Sequence, residues 1–268
     1  MTVAETLISS RANARVKQLR AAFAGNARLS DGLSAIEGEH LLEEAVRSAI
    51  ALKMVFVSER RPIPRGLPHG VEVLRVTDDV FASAVETQSP QGIAALLAPP
   101  VHHLDDVLEG PKPLLVIACG LQDPGNLGTL VRSAEAFEAA GVLTTPGTVS
   151  AWNQKALRAS VGSVFRVPVV PATAEEIAGL KRRGVRLLAA VGAQDAGVEA
   201  AQDANLRGAC AVMIGNEGAG LSAEWMAIAD ARVTIPCPGP VESLNAAVAG
   251  SLLLYEASRQ RAAAGAQR

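Results

Sequence analysis

The polar residues best placed to do chemistry lie in three glycine-rich stretches. These are Asn126 and Arg132 in QDPGNLGTLVR (122–132), Asn216 and Glu217 in IGNEGAGLS (214–222), and Ser243 and Asn245 in IPCPGPVESLN (235–245). Each follows an apolar run that reads as a strand, and open parallel sheets bind ligands at the carboxyl ends of their strands. Glycines let backbone groups approach a ligand closely. The order G-x-x-G-x-G at 215–220 differs from the dinucleotide fingerprint G-x-G-x-x-G, and the chain has no GxxxxGK[ST] phosphate loop. A nicotinamide or nucleoside triphosphate site is therefore unsupported, while a nucleoside-like ligand stays open. Each residue also has a purely structural alternative. Asn126 sits where a helix N-cap belongs. Arg132 falls opposite the apolar stripe Leu127, Leu130, Val131, Ala134 and Phe137, as a solvated arginine would, and Ser243 and Asn245 could be a cap and its neighbour.

Other chemistries find little support. Cys119, Cys210 and Cys237 lie far apart without C-x-x-C spacing and read as inert thiols of a reducing compartment. His40, His69, His102 and His103 form no ligand pattern, so no metal is expected. No signal peptide or membrane-length apolar run is evident, and a cytoplasmic protein is expected. The net charge of −2 excludes a simple polycationic nucleic-acid binder. Its distribution is uneven. Residues 1–30 carry Arg11, Arg15, Lys17, Arg20 and Arg28 against Glu5 alone, whereas 31–110 carry 6 basic and 13 acidic side chains. The basic segment could grip phosphate or could be a solvated helix.

The elements that must position these residues divide the chain. The proline-rich, polar stretch APPVHHLDDVLEGPKP (98–113) breaks both helical and strand periodicity, so a linker is placed at 99–112. Ahead of it lie a basic helical extension (1–30) and a small α/β domain (31–98), with strands expected at 33–37, 53–58, 71–76 and 91–97. Helices are expected at 11–24, 40–50 and 78–85, the last capped by Thr77. After the linker, 113–268 alternates strand, loop and helix. Strands are expected at 114–119, 142–145, 165–170, 185–191, 210–214 and 232–236. Helices are expected from the DPGNLG turn to Gly141, at 152–162, at 174–183, after Ser222 and from about Ser243, with a frayed tail after Arg259. The fold class is α/β, with a C-terminal doubly wound, mostly parallel sheet and a smaller α/β N-terminal domain.

The three stretches, with NLGTLVRSAEAFEAAGV (126–142), MIGNEGAGLS (213–222) and IPCPGPVESLNAAVAGSLLLYE (235–256), resemble the three motifs of the TrmH/SpoU family of SPOUT methyltransferases. KALRASVGSVFRVPV (155–169) is also typical of that family. Upstream, IEGEHLLEEAV (36–46) and VFASAVETQSPQGIAALL (80–97) resemble its ribosomal-protein-like RNA-binding domain. The similarity spans nearly the whole chain. It implies methyl transfer from S-adenosylmethionine to a ribose 2′-hydroxyl, in ribosomal RNA by preference and transfer RNA as the alternative. It also implies a deep trefoil knot over about 210–255 and a homodimer formed through the knotted domain.

By the same resemblance, Asn126, Arg132, Ser243 and Asn245 are catalytic. Val191, Gly192, Ile214, Gly215, Asn216, Gly220, Ile235 and Leu244 hold the cofactor, and Glu217 supports the loop or contacts the partner subunit. Arg11, Arg15, Arg20 and Arg132 are the expected RNA contacts. The chemistry is coherent with this set. A sulfonium supplies an activated methyl group, so the protein needs no covalent intermediate or metal. It must align the reacting atoms and manage one proton. An arginine is normally always protonated, so phosphate positioning is the safer role for Arg132. Two other classes compete: a catalytically silent RNA-binding or assembly factor of the same fold, and a small-molecule enzyme, which the missing phosphate fingerprints disfavour.

Overall fold

A computed structural model describes residues 2–3, 7–25, 29–192, 197–241 and 243–265. Glu5, Arg28 and Glu242, which belong to the basic extension and the third stretch, lie outside the described residues. The chain divides into two compact units, Met1–Val101 and His102–Arg268.

In the first unit a five-stranded mixed sheet is built from β1 (Thr2–Val3), β2 (Ser34–Glu37), β3 (Ala51–Ser58), β4 (Glu72–Val76) and β5 (Ile93–Ala98), in the order β1-β4-β3-β5-β2. Helices α1 (Ala14–Phe23), α2 (Glu39–Arg47) and α3 (Asp78–Ala84) accompany it. Val16, Leu19, Phe56, Phe81 and Leu96 share one core. The expected Thr77 cap is corrected: Thr77 occupies the N-cap position, but its hydroxyl donates to the Asp79 carboxylate at 2.8 Å and makes no cap bond.

The second unit holds seven parallel strands. They are β6 (Leu114–Ala118), β7 (Gly141–Thr144), β8 (Val169–Pro171), β9 (Arg186–Ala190), β10 (Val198–Ala200), β11 (Cys210–Ile214) and β12 (Ala231–Thr234). Their order is β10-β12-β9-β11-β6-β7-β8, and every adjacent pair is parallel. Both central strands, LLVIA and CAVMI, are buried at every residue, as expected where both sheet faces are covered. The helices are α4 (Pro124–Ala136), α5 (Gln154–Ser160), α6 (Ala174–Gly179), α7 (Ala223–Ile228) and α8 (Ala246–Gly265).

Several expected boundaries move, each for a local reason. The helix that begins in the DPGNLG turn stops at Ala136 instead of Gly141, and Glu138 follows with φ of 55°. Gly141 opens β7 instead. A Cβ there would stand 2.4 Å from Val107 Cγ1 and 3.0 Å from the Pro168 carbonyl, so glycine answers to packing and not to capping. The strand expected over 165–170 is a 3-10 turn at Ser163–Phe165 followed only by β8, because Pro168 offers no N–H to a ladder. The edge strand β10, three residues long, has no periodicity from which to predict it. The expected fraying does not begin at Arg259: α8 runs to Gly265, and residues 266–268 of the tail lie outside the described residues. Within it the Gln260 amide, 5% exposed, donates to Ala204 O at 3.0 Å and accepts from Leu206 N at 3.0 Å. Arg261 donates to the carbonyls of Leu206, Gly208 and Lys112.

α4 sits at the centre of the packing that matters below. Leu127, Leu130, Val131 and Ala134 are buried. At Gly128 a Cβ would lie 2.4 Å from Ala156 O, so glycine permits the close approach of α5. On another side, a Cβ on Gly250 of α8 would lie 2.3 Å from Leu130 Cδ2, and Ser133 Oγ meets Ser251 Oγ at 2.6 Å. Both α5 and α8 therefore clasp the helix that carries Asn126 and Arg132.

Candidate active site

The first loop leaves β6 and turns into α4. Asp123, not Asn126, is the N-cap: its Oδ1 accepts from Asn126 N at 3.0 Å, with Pro124 in the first turn. The structural alternative considered for Asn126 is thereby removed, and its side chain is left for other work. Lys155 of α5 donates to Asp123 Oδ2 at 2.7 Å. That bond, with the Asn126 N–H, holds the Asp123 carboxyl below the usual carboxylate range. Asp-Pro at a helix start is a readable capping signal, whereas Lys155, 32 residues on, gave none.

The second loop leaves β11 and closes on itself. Asn216 and Gly220 exchange backbone hydrogen bonds of 3.0 and 2.9 Å, while Asn216 Oδ1 accepts from the amides of Gly218 and Ala219. A Cβ on Gly215 would stand 2.3 Å from the Gly220 carbonyl carbon, so only glycine fits this turn. Asn216 Nδ2 then reaches across to donate to Gly120 O at 2.9 Å. Glu217 makes the larger connection. Its carboxylate accepts from Gln122 N at 3.3 Å, from Asp123 N at 3.1 Å and from Asn126 Nδ2 at 2.9 Å. Partial burial pushes the Glu217 carboxyl up, but the bonds from Asn126 and from backbone amides outweigh it, and the net direction is down.

The third loop leaves β12 and enters α8. Asn245 caps that helix, its Oδ1 accepting from Ala247 N at 2.9 Å and Val248 N at 3.2 Å. Its Nδ2 donates to Asn126 Oδ1 at 3.0 Å. Asn126 thus uses both ends of its amide, giving to Glu217 and receiving from Asn245, and one side chain joins all three loops. Arg132 and Ser243 are exposed and make no hydrogen bond or ion pair among the described residues. Their functional groups face solvent beside a fixed frame.

Around this frame the three loops after β9, β11 and β12 offer a second kind of surface. Val191, Ile235 and Leu244 are half-buried and Ile214 is buried. In front of Gly192, Gly220 and Gly239, no atom of the described residues, chain neighbours aside, stands within 4 Å of where a Cβ would be. None of the stretches 190–192, 214–222 and 235–245 contains Lys or Arg. Apolar side chains, open backbone and the absence of cations suit a flat ring and a positively charged group, and do not suit a phosphate. Among the described residues, no group of three or more His, Cys, Asp or Glu side chains is arranged to hold a metal.

The basic residues of the first unit are mostly engaged. Arg11 pairs with Asp79 at 3.4 Å and Arg15 with Glu72 at 3.3 Å, both at the surface. Arg20 is half-buried and donates to the backbone oxygen and hydroxyl of Ser83 at 3.0 and 3.2 Å, which fastens α1 to α3.

Comparison with known proteins gives concordant matches. The SpoU rRNA Methylase family matches residues 113–255, and the MRM3-like substrate binding domain matches 13–95. The 23S rRNA (guanosine(2553)-2'-O)-methyltransferase RlmP of Bacillus subtilis is 35% identical over 252 residues, 92% of this chain and 97% of that protein. The crystal structure of the SpoU methyltransferase AviRb from Streptomyces viridochromogenes, in complex with AdoMet, superposes with a TM-score of 0.82 at 27% identity, covering 93% of this chain and 98% of that one. The AdoMet-bound rRNA methyltransferase of Sinorhizobium meliloti gives 0.83 at 27% identity, covering 96% and 98%.

Proposed function

The chain belongs to the SpoU rRNA methylase family, and on that premise we propose how its residues carry out S-adenosylmethionine-dependent methyl transfer to a ribose 2′-hydroxyl of ribosomal RNA. Ribosomal RNA is favoured over transfer RNA because RlmP, named for 23S rRNA, aligns across both units, and the first unit matches a substrate-binding domain.

The observation that carries the reading is the continuous link Asn245–Asn126–Glu217, which fixes all three loops in one frame. Bound S-adenosylmethionine supplies an activated methyl group. Ile214, Ile235 and Leu244 would hold its adenine, with backbone groups of Val191, Gly192, Gly215, Asn216 and Gly220 beside them. Arg132, exposed and without a partner among the described residues, would bind the phosphate next to the target ribose, and Ser243 would orient the nucleotide. Asn126 and Asn245 keep the loops in register, so that the hydroxyl, methyl and leaving group can line up. Arg11 and Arg15, whose exposed ion pairs are weak, remain candidate RNA contacts. Arg20 is a poorer one, because its guanidinium holds α3.

A trefoil knot over about 210–255 is supported by the parallel order β12-β9-β11-β6 and by the return of α8 onto α4. A homodimer through this unit is supported by an apolar stripe on α8, where Val248, Leu252 and Tyr255 are 46%, 42% and 52% exposed. No helix among the described residues is long and apolar enough to cross a membrane, and a cytoplasmic location is proposed from the ribosomal RNA named for the relatives.

The test has two parts. Calorimetric titration with S-adenosylmethionine should give micromolar-range binding. Mass mapping of 2′-O-methyl groups on ribosomal RNA from cells with and without the protein should show one mark lost. Cofactor binding with every ribosomal mark retained would overturn the assignment of the substrate.

A further inference from the structure

The carboxyl ends of β7 and β8 hold a cavity of about 460 Å³ that the site above does not use. It lies two strands from β11, on the opposite side of β6 from the loops after β9 and β12. Thr144, Thr148, Ser150, Trp152, Pro171 and Glu176 are among its lining residues.

The lining has a definite chemical character. Among the described residues it contains no Lys or Arg and one ionisable group, a carboxylate, so it disfavours phosphate. Trp152 is half-buried, with its ring tilted against Phe165 at a centroid distance of 5.9 Å, and it lends part of its surface to the cavity. Ser150 Oγ accepts from Trp152 N at 3.1 Å; among the described residues the Thr144 hydroxyl makes no hydrogen bond and the Ser150 proton has no acceptor. Glu176 accepts from the Thr173 amide and hydroxyl through Oε2, and among the described residues Oε1 has no donor. An aromatic surface with uncharged hydroxyls and a single carboxylate oxygen suits a planar group that carries N–H donors and acceptors on its edge.

The cavity is also fastened to the active-site frame. Thr145 and Thr148 hydroxyls accept from Gly120 N at 3.0 and 3.1 Å, Thr148 donates to Ala118 O, and Val149 N donates to Leu121 O. Whatever occupies the cavity is therefore held in fixed relation to the loop that carries Asp123 and Asn126.

We propose that this cavity receives an unstacked nucleobase of the RNA substrate, stacked on Trp152 and hydrogen-bonded by Thr144, Ser150 and Glu176, and so sets which nucleotide is presented. The proposal rests on the methyltransferase reading above. Single-stranded RNA is commonly read by splaying a base onto an aromatic side chain, and each such stack is worth enough to change affinity by about tenfold.

The experiment measures methylation of an unmodified large-subunit ribosomal RNA transcript at limiting RNA, together with S-adenosylmethionine binding, for wild type, Trp152→Ala, Trp152→Phe and Thr144→Val. Trp152→Ala should lower kcat/KM for RNA about tenfold or more, Phe should restore most of it, and Thr144→Val should cost severalfold. Cofactor affinity should stay within twofold throughout. Should Trp152→Ala also lose cofactor binding, the fold has been damaged, and Thr144→Val decides. A kcat/KM within twofold of wild type in the deciding variant overturns the proposal. Fragments of the RNA with an abasic residue at the target or at either neighbour then locate the occupant: the fragment whose methylation becomes indifferent to Trp152→Ala lacks the base that fills the cavity. Equal sensitivity on all three fragments also overturns it. If wild type binds the cofactor yet methylates no transcript, the substrate assignment fails instead, and the two failures are distinct.

Discussion

Asn245 donates its side-chain amide to Asn126 Oδ1 at 3.0 Å, joining two loops 119 residues apart in sequence. Neither residue is buried, and the contact is part of no helix or strand ladder. Two amides so placed act as one unit. Asn126→Ala and Asn245→Ala should each reduce single-turnover methyl transfer by about a hundredfold. The double variant should be little worse than the more damaged single one, since residues in one network are strongly non-additive. Independent, multiplying losses would separate the two roles.

Glu217 gives a prediction in pH. A carboxyl held below its ordinary value stabilises the fold above the usual carboxylate range, and the contribution disappears as pH falls through the lower folded-state value. Glu217→Gln should therefore be less stable than wild type at neutral pH, by about 1 kcal/mol given how exposed the carboxylate is. The two melting temperatures should converge as the solution is acidified below the usual carboxylate range. A gap that persists unchanged in acid would show that charge is not what the loops use.

Arg132 should separate chemistry from folding. It is exposed and unpartnered among the described residues, so Arg132→Ala should change stability by no more than about 0.5 kcal/mol. Cofactor affinity should also hold, while methyl transfer falls by about a thousandfold. Arg132→Lys should recover only part of the loss, because an ammonium cannot grip phosphate with two parallel bonds. Full turnover in the Ala variant would remove Arg132 from the mechanism.

The thiols offer a footprint of the cofactor. Burial pushes Cys119 up to about 12 and raises Cys210 as well, so neither should react with maleimide in the native protein. Cys237 is half-buried in the loop after β12, its Sγ 3.4 Å from Ile235 O. One thiol per chain should label, and S-adenosylmethionine should slow it severalfold. Labelling at an unchanged rate with saturating cofactor would place the ligand elsewhere.

The α8 stripe can be tested by charge. Leu252→Glu should shift the sedimentation of the protein from dimer to monomer without lowering cofactor-independent secondary structure, since Leu252 is exposed within one chain. A wild type that sediments as a monomer would leave that stripe unexplained.

What could be read in advance follows the range of the interactions involved. Fully apolar runs such as LLVIA and CAVMI declare buried parallel strands by composition alone, and the glycines of 215–220 mark a turn, in which Gly215 leaves no room for a side chain. Gly141 misleads because a glycine required by packing against Val107 looks, in sequence, like one required by a helix end. Arg20 misleads similarly: its helix is visible, but its Ser83 partner on α3 is not. In the site, residue types at 126, 217 and 245 are conspicuous, yet the bonds among them depend on β6 and β11 being neighbours in the sheet and on α8 returning from β12 onto α4. Lys155, which locks the Asp123 cap, announces nothing locally.

The position of β6 bears on how the protein is made. Its β7 edge can pair early, but its other neighbour, β11, is synthesised only after β7, β8, β9 and β10. Until then a wholly apolar strand keeps one row of peptide groups open. Closing so long a loop is slow, and parallel pairing between distant segments lengthens the interval in which the nascent chain can stick to others. Yield in a heterologous host should thus be governed by chaperone supply and growth temperature more than by the stability of the finished molecule.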